Sequence, residues 1–62
     1  MTDKQFKNLN VGDLVLDNGY GIVIKKHSNQ CLKIRFAKNS EVWTYNLNIA
    51  HHLKLIAKAQ QQ

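Results

Sequence analysis

NVGDLVLDNGYGIVIKK, residues 10–26, places two runs rich in β-branched and apolar residues on either side of Asp17-Asn18-Gly19-Tyr20-Gly21. Asn-Gly accepts positive φ at both central positions of a two-residue type I′ turn, so 12–17 and 20–26 are expected to form a β-hairpin. Gly21, inside the second run, has no side chain to pack and marks a bulge or a close approach of another chain segment.

Downstream of the hairpin, His27-Ser28-Asn29-Gln30 is a polar break before Cys31-Leu32-Lys33-Ile34-Arg35-Phe36-Ala37. Here alternation is plain: Leu32, Ile34 and Phe36 share one face, and Cys31, Lys33 and Arg35 the other. Lys38-Asn39-Ser40 is a turn, and Glu41-Val42-Trp43-Thr44-Tyr45 is rich in the residue types that strands favour. With Val42 and Thr44 turned inward by the same period, Trp43 and Tyr45 are expected to face outward beside Lys33 and Arg35. The expected core is Val15, Val23, Leu32, Ile34, Phe36 and Val42, closed by Leu47, Leu53 and Leu55.

The two ends of the chain carry weaker patterns. Thr2-Asp3-Lys4-Gln5 has the spacing of a capping box, which predicts a helical turn over residues 3–8, docked through Phe6 and Leu9. Toward the other end, a helical turn in 46–53 followed by a short strand, Leu53-Lys54-Leu55-Ile56, competes with a single helix from 48 to about 60. The turn and strand are preferred because a fifth strand covers a sheet edge. The chain thus divides into an arm (1–10), a core (11–56) and a flexible tail (57–62).

The sequence has 62 residues, nine Lys and Arg against four Asp and Glu, and a net charge of +5. A chain of this length forms one domain and buries only about 60% of its unfolded surface. The single cysteine, Cys31, excludes an internal disulfide and fits a reducing compartment. No run reaches the roughly 18 apolar residues that a membrane span needs, and MTDKQFKNLN has no apolar core of a secretory signal. The expected location is the cytoplasm, or a host cytoplasm or virion for a phage-encoded chain. A positive surplus favours polyanionic partners.

Val-Gly-Asp-x-Val at 11–15, Gly-x-Val at 21–23, the alternating third strand, the aromatic fourth strand and Leu-x-x-Ile at 53–56 together resemble the small barrels of the Src-homology-3, Tudor and KOW type. The resemblance runs from Val11 to Ile56. It implies an all-β, five-stranded antiparallel Src-homology-3-like barrel with a short helical turn before the last strand. Short hypothetical proteins of tailed bacteriophages are similar, with the same Gly-Asp-Leu-Val start and a Trp in the fourth strand. Asp13 then stands at the entry to the first strand, where its carboxylate can accept backbone amides.

The barrel architecture hosts unrelated activities, so function rests on individual residues. Lys33, Arg35, Trp43 and Tyr45 on one surface, extended by Lys25, Lys26 and Lys38, suit nucleic acid, DNA or RNA: cations neutralise phosphates and aromatic faces stack on bases. The alternative is a protein partner or homo-oligomer, as in a virion part, docked through a sheet edge and the same aromatic residues. If Trp43 is buried, Tyr20 becomes the exposed aromatic. The Tudor resemblance implies a further arrangement, a cage of Tyr20, Phe36, Trp43 and Tyr45 around a cation, which the net positive field opposes.

Other chemistry finds little support. His27, Cys31, His51 and His52 do not reproduce a metal framework, and no cofactor motif is present. Asp3, Asp13, Asp17 and Glu41 are the only carboxylates, and the sequence contains no phosphate loop or nucleophile elbow. Type II dihydrofolate reductase shares the barrel but carries Val-Gln-Ile-Tyr where this chain has Val42-Trp43-Thr44-Tyr45. The missing amide argues against that activity, and a non-catalytic protein is expected.

Overall fold

The computed structural model describes residues 1–59. It consists of a one-turn helix α1 (Asp3–Lys7) and five strands, β1 (Leu14–Leu16), β2 (Tyr20–Ser28), β3 (Cys31–Phe36), β4 (Val42–Asn46) and β5 (Lys54–Ala57), with a 3-10 turn at Ala50–His52. All pairings are antiparallel, in the order β4-β3-β2-β1-β5 within one unclosed sheet. Strands β4 and β5 are therefore its two edges. Among the described residues no helix is long and apolar enough to cross a membrane.

Helix α1 begins where the capping box predicts. The Gln5 amide donates to Thr2 Oγ1 at 3.2 Å and the Thr2 amide donates to Gln5 Oε1 at 2.8 Å, so two donors left over at the helix start are satisfied. Such a short helix is unstable alone, and docking holds it: Phe6 and Leu9 are fully buried against the sheet. The covered face, called here the inner face, holds Val15, Val23, Leu32 and Ile34, closed from above by Phe6, Leu9, Ala50 and Leu53. Each fully buried aliphatic contributes about 1.5–3 kcal/mol.

The hairpin of β1 and β2 forms, but with a different turn. Leu16 pairs with Tyr20, leaving a three-residue loop in which the Asp17 amide donates to the Gly19 carbonyl at 3.1 Å. Asn18 has φ 60°, and Gly19 does not share the positive φ that a type I′ turn requires at both positions. Gly21 has the role its position predicts: a Cβ there would lie 2.6 Å from Ile34 Cγ2 and 3.0 Å from the Phe36 ring. Only a residue without a side chain lets β3 approach so closely.

At the far end the 3-10 turn and β5 form, and the single helix does not. Residues 57–59 are not free tail: Ala57 belongs to β5, and Lys58 and Ala59 are fastened to Asp13. The remainder of the predicted tail, residues 60–62, lies outside the described residues.

Asp13 is fully buried, and its carboxylate accepts from the Asn10 amide (2.8 Å), the Ala59 amide (2.7 Å) and the Lys58 ammonium (2.8 Å). Burial alone would raise its pKa. The Lys58 hydrogen bond, the two amides and the Lys58 charge outweigh that cost and hold the carboxyl below its ordinary range. This acid joins the entry of β1 to the exit of β5, and so fixes an edge strand to the sheet.

Two expected core residues are not in the core. Val42 is 44% exposed and Leu55 41%. Val42 lies opposite Arg35 and so projects from the face away from the core, whereas Leu55, opposite Val15, is on the covered face but on edge strand β5, where the sheet ends before a neighbour can cover it. Phe36 and Leu47 are partly buried and pack against the core.

Candidate nucleic-acid interface

In an antiparallel ladder, residues directly opposite one another project to the same face. Strand β3 therefore assigns faces to its neighbours. Ile34 lies opposite Val23 and Trp43, and Leu32 lies opposite Tyr45, so these residues share the inner face. Lys33 lies opposite Lys25 and Thr44, and Arg35 opposite Ile22 and Val42, which together form the outer face. The outer rows continue to β1 and β5, with Leu14 opposite Ile22, and Leu16 opposite both Tyr20 and Lys54.

This register corrects the expected phase of β4. Trp43 and Tyr45 are on the face opposite Lys33 and Arg35, so the expected juxtaposition of the four does not occur. The cause is that Val, Trp, Thr and Tyr all suit a strand in either phase, and pairing with Leu32 and Ile34 draws the two largest, most apolar rings inward. Tyr45 is 8% exposed, and its hydroxyl donates to Asp17 Oδ2 at 2.8 Å. Burial first, then the hydrogen bond and charge of Asp17, push the phenol pKa well above its usual value. Trp43, near the open end of the same face, stays 55% exposed and donates from Nε1 to Glu41 Oε2 at 3.1 Å.

The inner face thus ends in an aromatic and acidic recess of about 280 Å³ between the β1–β2 and β3–β4 loops. Phe36, Trp43, Tyr45, Asp17, Glu41 and Lys38 line it, and the Phe36 and Tyr45 ring centroids are 6.0 Å apart at 51°. Lys38 is therefore also separated from Lys33 and Arg35. So is Lys26: it lies opposite Leu32, and its ammonium donates to the Lys7 carbonyl at the end of α1, at 2.8 Å. The four-ring cage does not assemble either, since Tyr20 is on the outer face while Phe36, Trp43 and Tyr45 are on the inner one.

Of the expected nucleic-acid residues, Lys25, Lys33 and Arg35 come together. Two residues not foreseen in the interface join them. Lys54 reaches the outer face opposite Leu16, a placement its alternation with Leu53 and Leu55 already permitted. Ile22, 48% exposed, stands beside Arg35. Tyr20, 55% exposed, supplies the aromatic ring on this side.

The distribution of charge follows the same division. All four carboxylates lie away from the outer face: Asp3 is in α1, Asp13 is buried, Asp17 bonds Tyr45, and Glu41 bonds Trp43. Lys25, Lys33, Arg35 and Lys54 have no salt-bridge partner among the described residues, where Lys58 with Asp13 is the one such pair. Lys25 directly opposite Lys33 is a like-charge pair, an arrangement that costs stability. Among the described residues no three His, Cys, Asp or Glu side chains are grouped to hold a metal ion. No family model matches this chain, and no curated protein or solved structure matches it at a significant level.

Proposed function

We propose that the protein is a non-catalytic nucleic-acid-binding module of low sequence specificity, acting through the outer face of its sheet. Lys25, Lys33, Arg35 and Lys54 contact phosphates and Tyr20 contacts bases or sugars. The observation that carries this is the segregation of charge: among the described residues four cations and no side-chain carboxylate lie on one face, with two lysines directly opposed across strands. A polyanion relieves that repulsion, and counterion release drives the association. Low specificity follows because few side chains on one small sheet face reach base edges in a fixed frame. The strand order and the 3-10 turn before β5 support reading the domain as an open Src-homology-3-like barrel, the kind of scaffold the sequence resembles.

Anisotropy titration of short DNA and RNA at two salt concentrations tests the proposal. Four phosphate contacts give a slope of log affinity against log salt of about −3 to −4. Lys33→Glu with Arg35→Glu abolishes binding, whereas Trp43→Ala on the opposite face leaves it unchanged. Absence of binding at low salt, or equal loss with Trp43→Ala, rejects the outer face as the interface.

The exposure of Ile22, Val42 and Tyr20 favours a second reading, a protein-interaction or virion part that docks through this face or the β4 edge. A stable oligomer in sedimentation that masks the outer face would favour it.

A further inference from the structure

The outer face is not uniformly polar. Between β1, β2 and β3 it holds an open groove of about 250 Å³, lined by the apolar Leu14, Ile22 and Ile24 together with Tyr20 and Arg35. Leu14 and Ile24 are half-buried, whereas Tyr20 and Ile22 project into solvent. Apolar surface in the middle of a cationic face serves no purpose against phosphates alone.

On the basis of the reading above, we propose that the ligand is single-stranded nucleic acid and that this groove receives one unstacked base. A base has two apolar faces and a polar rim. The aliphatic side chains contact one face, while the phenol of Tyr20 and the guanidinium of Arg35 offer flat partners for stacking. In a duplex both base faces are covered by neighbouring pairs, so the groove would stay empty and only the cations would act. Lys33 and Arg35 are two residues apart on one strand, about 7 Å. That separation is on the order of one nucleotide of an extended strand, so the cations can hold successive phosphates of the strand whose base enters the groove.

Charge complementarity decides against a second copy of this chain as occupant, since two such faces would set cations against cations. An acidic peptide satisfies the charges, but it lacks a flat group with two apolar faces to lie between Tyr20 and Arg35.

The test uses the intact protein and four probes at two low salt concentrations: a labelled 12-nucleotide single strand, the same strand annealed to its complement, the same strand with abasic sites, and poly-glutamate. The expected order places the single strand tightest. Abasic substitution weakens binding by roughly five- to hundredfold, the range for loss of one stacked base, without changing the salt slope. Tyr20→Ala, a change at an exposed position, weakens the normal strand by a similar factor and the abasic strand not at all. Duplex binding as tight as the single strand, indifference to abasic sites, or tighter binding of poly-glutamate overturns the single-strand assignment. Failure to bind any of the nucleic acids overturns the nucleic-acid reading itself.

Discussion

The two faces of the sheet divide the work of the molecule. On the inner face Val15, Val23, Leu32 and Ile34 are fully buried under Phe6, Leu9, Ala50 and Leu53, and its polar groups are paired: Asp13 with Lys58, Tyr45 with Asp17. On the outer face Ile22 and Val42 stay about half exposed, and Lys25, Lys33, Arg35 and Lys54 have no salt-bridge partner among the described residues. A domain of this length has about 3–9 kcal/mol of stability in all. Nearly all of it must come from the inner side, which leaves the outer side free to carry an arrangement that folding alone does not favour.

Substitutions of isoleucine on the two faces give the largest contrast. Ile34→Ala removes a fully buried side chain that packs against Gly21, and is expected to cost about 2–5 kcal/mol. Ile22→Thr, one strand away on the outer face, should stay within about 1 kcal/mol. Urea denaturation of the pair measures both, and equal losses would mean that the outer face also contributes core packing.

Asp13 is the next largest expected effect. Asp13→Ala leaves two amides without their acceptor and Lys58 with only the Asn8 carbonyl, and should cost about 2–3 kcal/mol. The carboxyl's pKa is depressed on folding, so its contribution is complete above the unfolded value of 3.8 and is lost as pH falls through the lower folded value. Urea denaturation followed by circular dichroism should therefore show wild-type stability falling as the pH is lowered past 3.8, and Asp13→Asn should flatten that acid limb while lowering stability at neutral pH.

Smaller effects come from the aromatic end of the inner face. Tyr45→Phe loses the bond to Asp17 and should cost about 1 kcal/mol. Because the folded pKa of Tyr45 is raised, its contribution is intact below the ordinary value of 10.0 and is lost only at higher pH. A spectrophotometric titration should show a tyrosine ionising well above the ordinary value, and Tyr45→Phe should remove that step. At the low end of the scale, Lys33→Gln on the outer face relieves the repulsion with Lys25 and should raise stability by about 0.2–1 kcal/mol at low salt, less as salt is added.

Strand β3 and strand β4 show where a sequence is sufficient. In β3 apolar and charged residues alternate, and burying Lys33 and Arg35 would be so costly that only one phase is possible. In β4 no such penalty separates the phases, since Val42, Trp43, Thr44 and Tyr45 tolerate either side. The same contrast explains the cations. Lys33 and Arg35 could be placed from their own strand, but Lys26 went to the Lys7 carbonyl, a contact distant in sequence, and Lys38 lines the aromatic recess from the β3–β4 loop. Lys54 reached the outer face through the pairing of β5 with β1, which brings together residues far apart in the chain.

By itself the sequence determined the local structure: the capped arm, the hairpin, the alternating third strand, the short fifth strand and the positive charge. These depend on side-chain periodicity, capping chemistry and glycine placement, all of which act within a few residues. The tertiary structure alone decided which way Trp43 and Tyr45 face, that Asp13 anchors Lys58 and Ala59, and that the cations and carboxylates separate. Those outcomes depend on which residues of one strand lie opposite which of another, and register is an energy of the whole sheet.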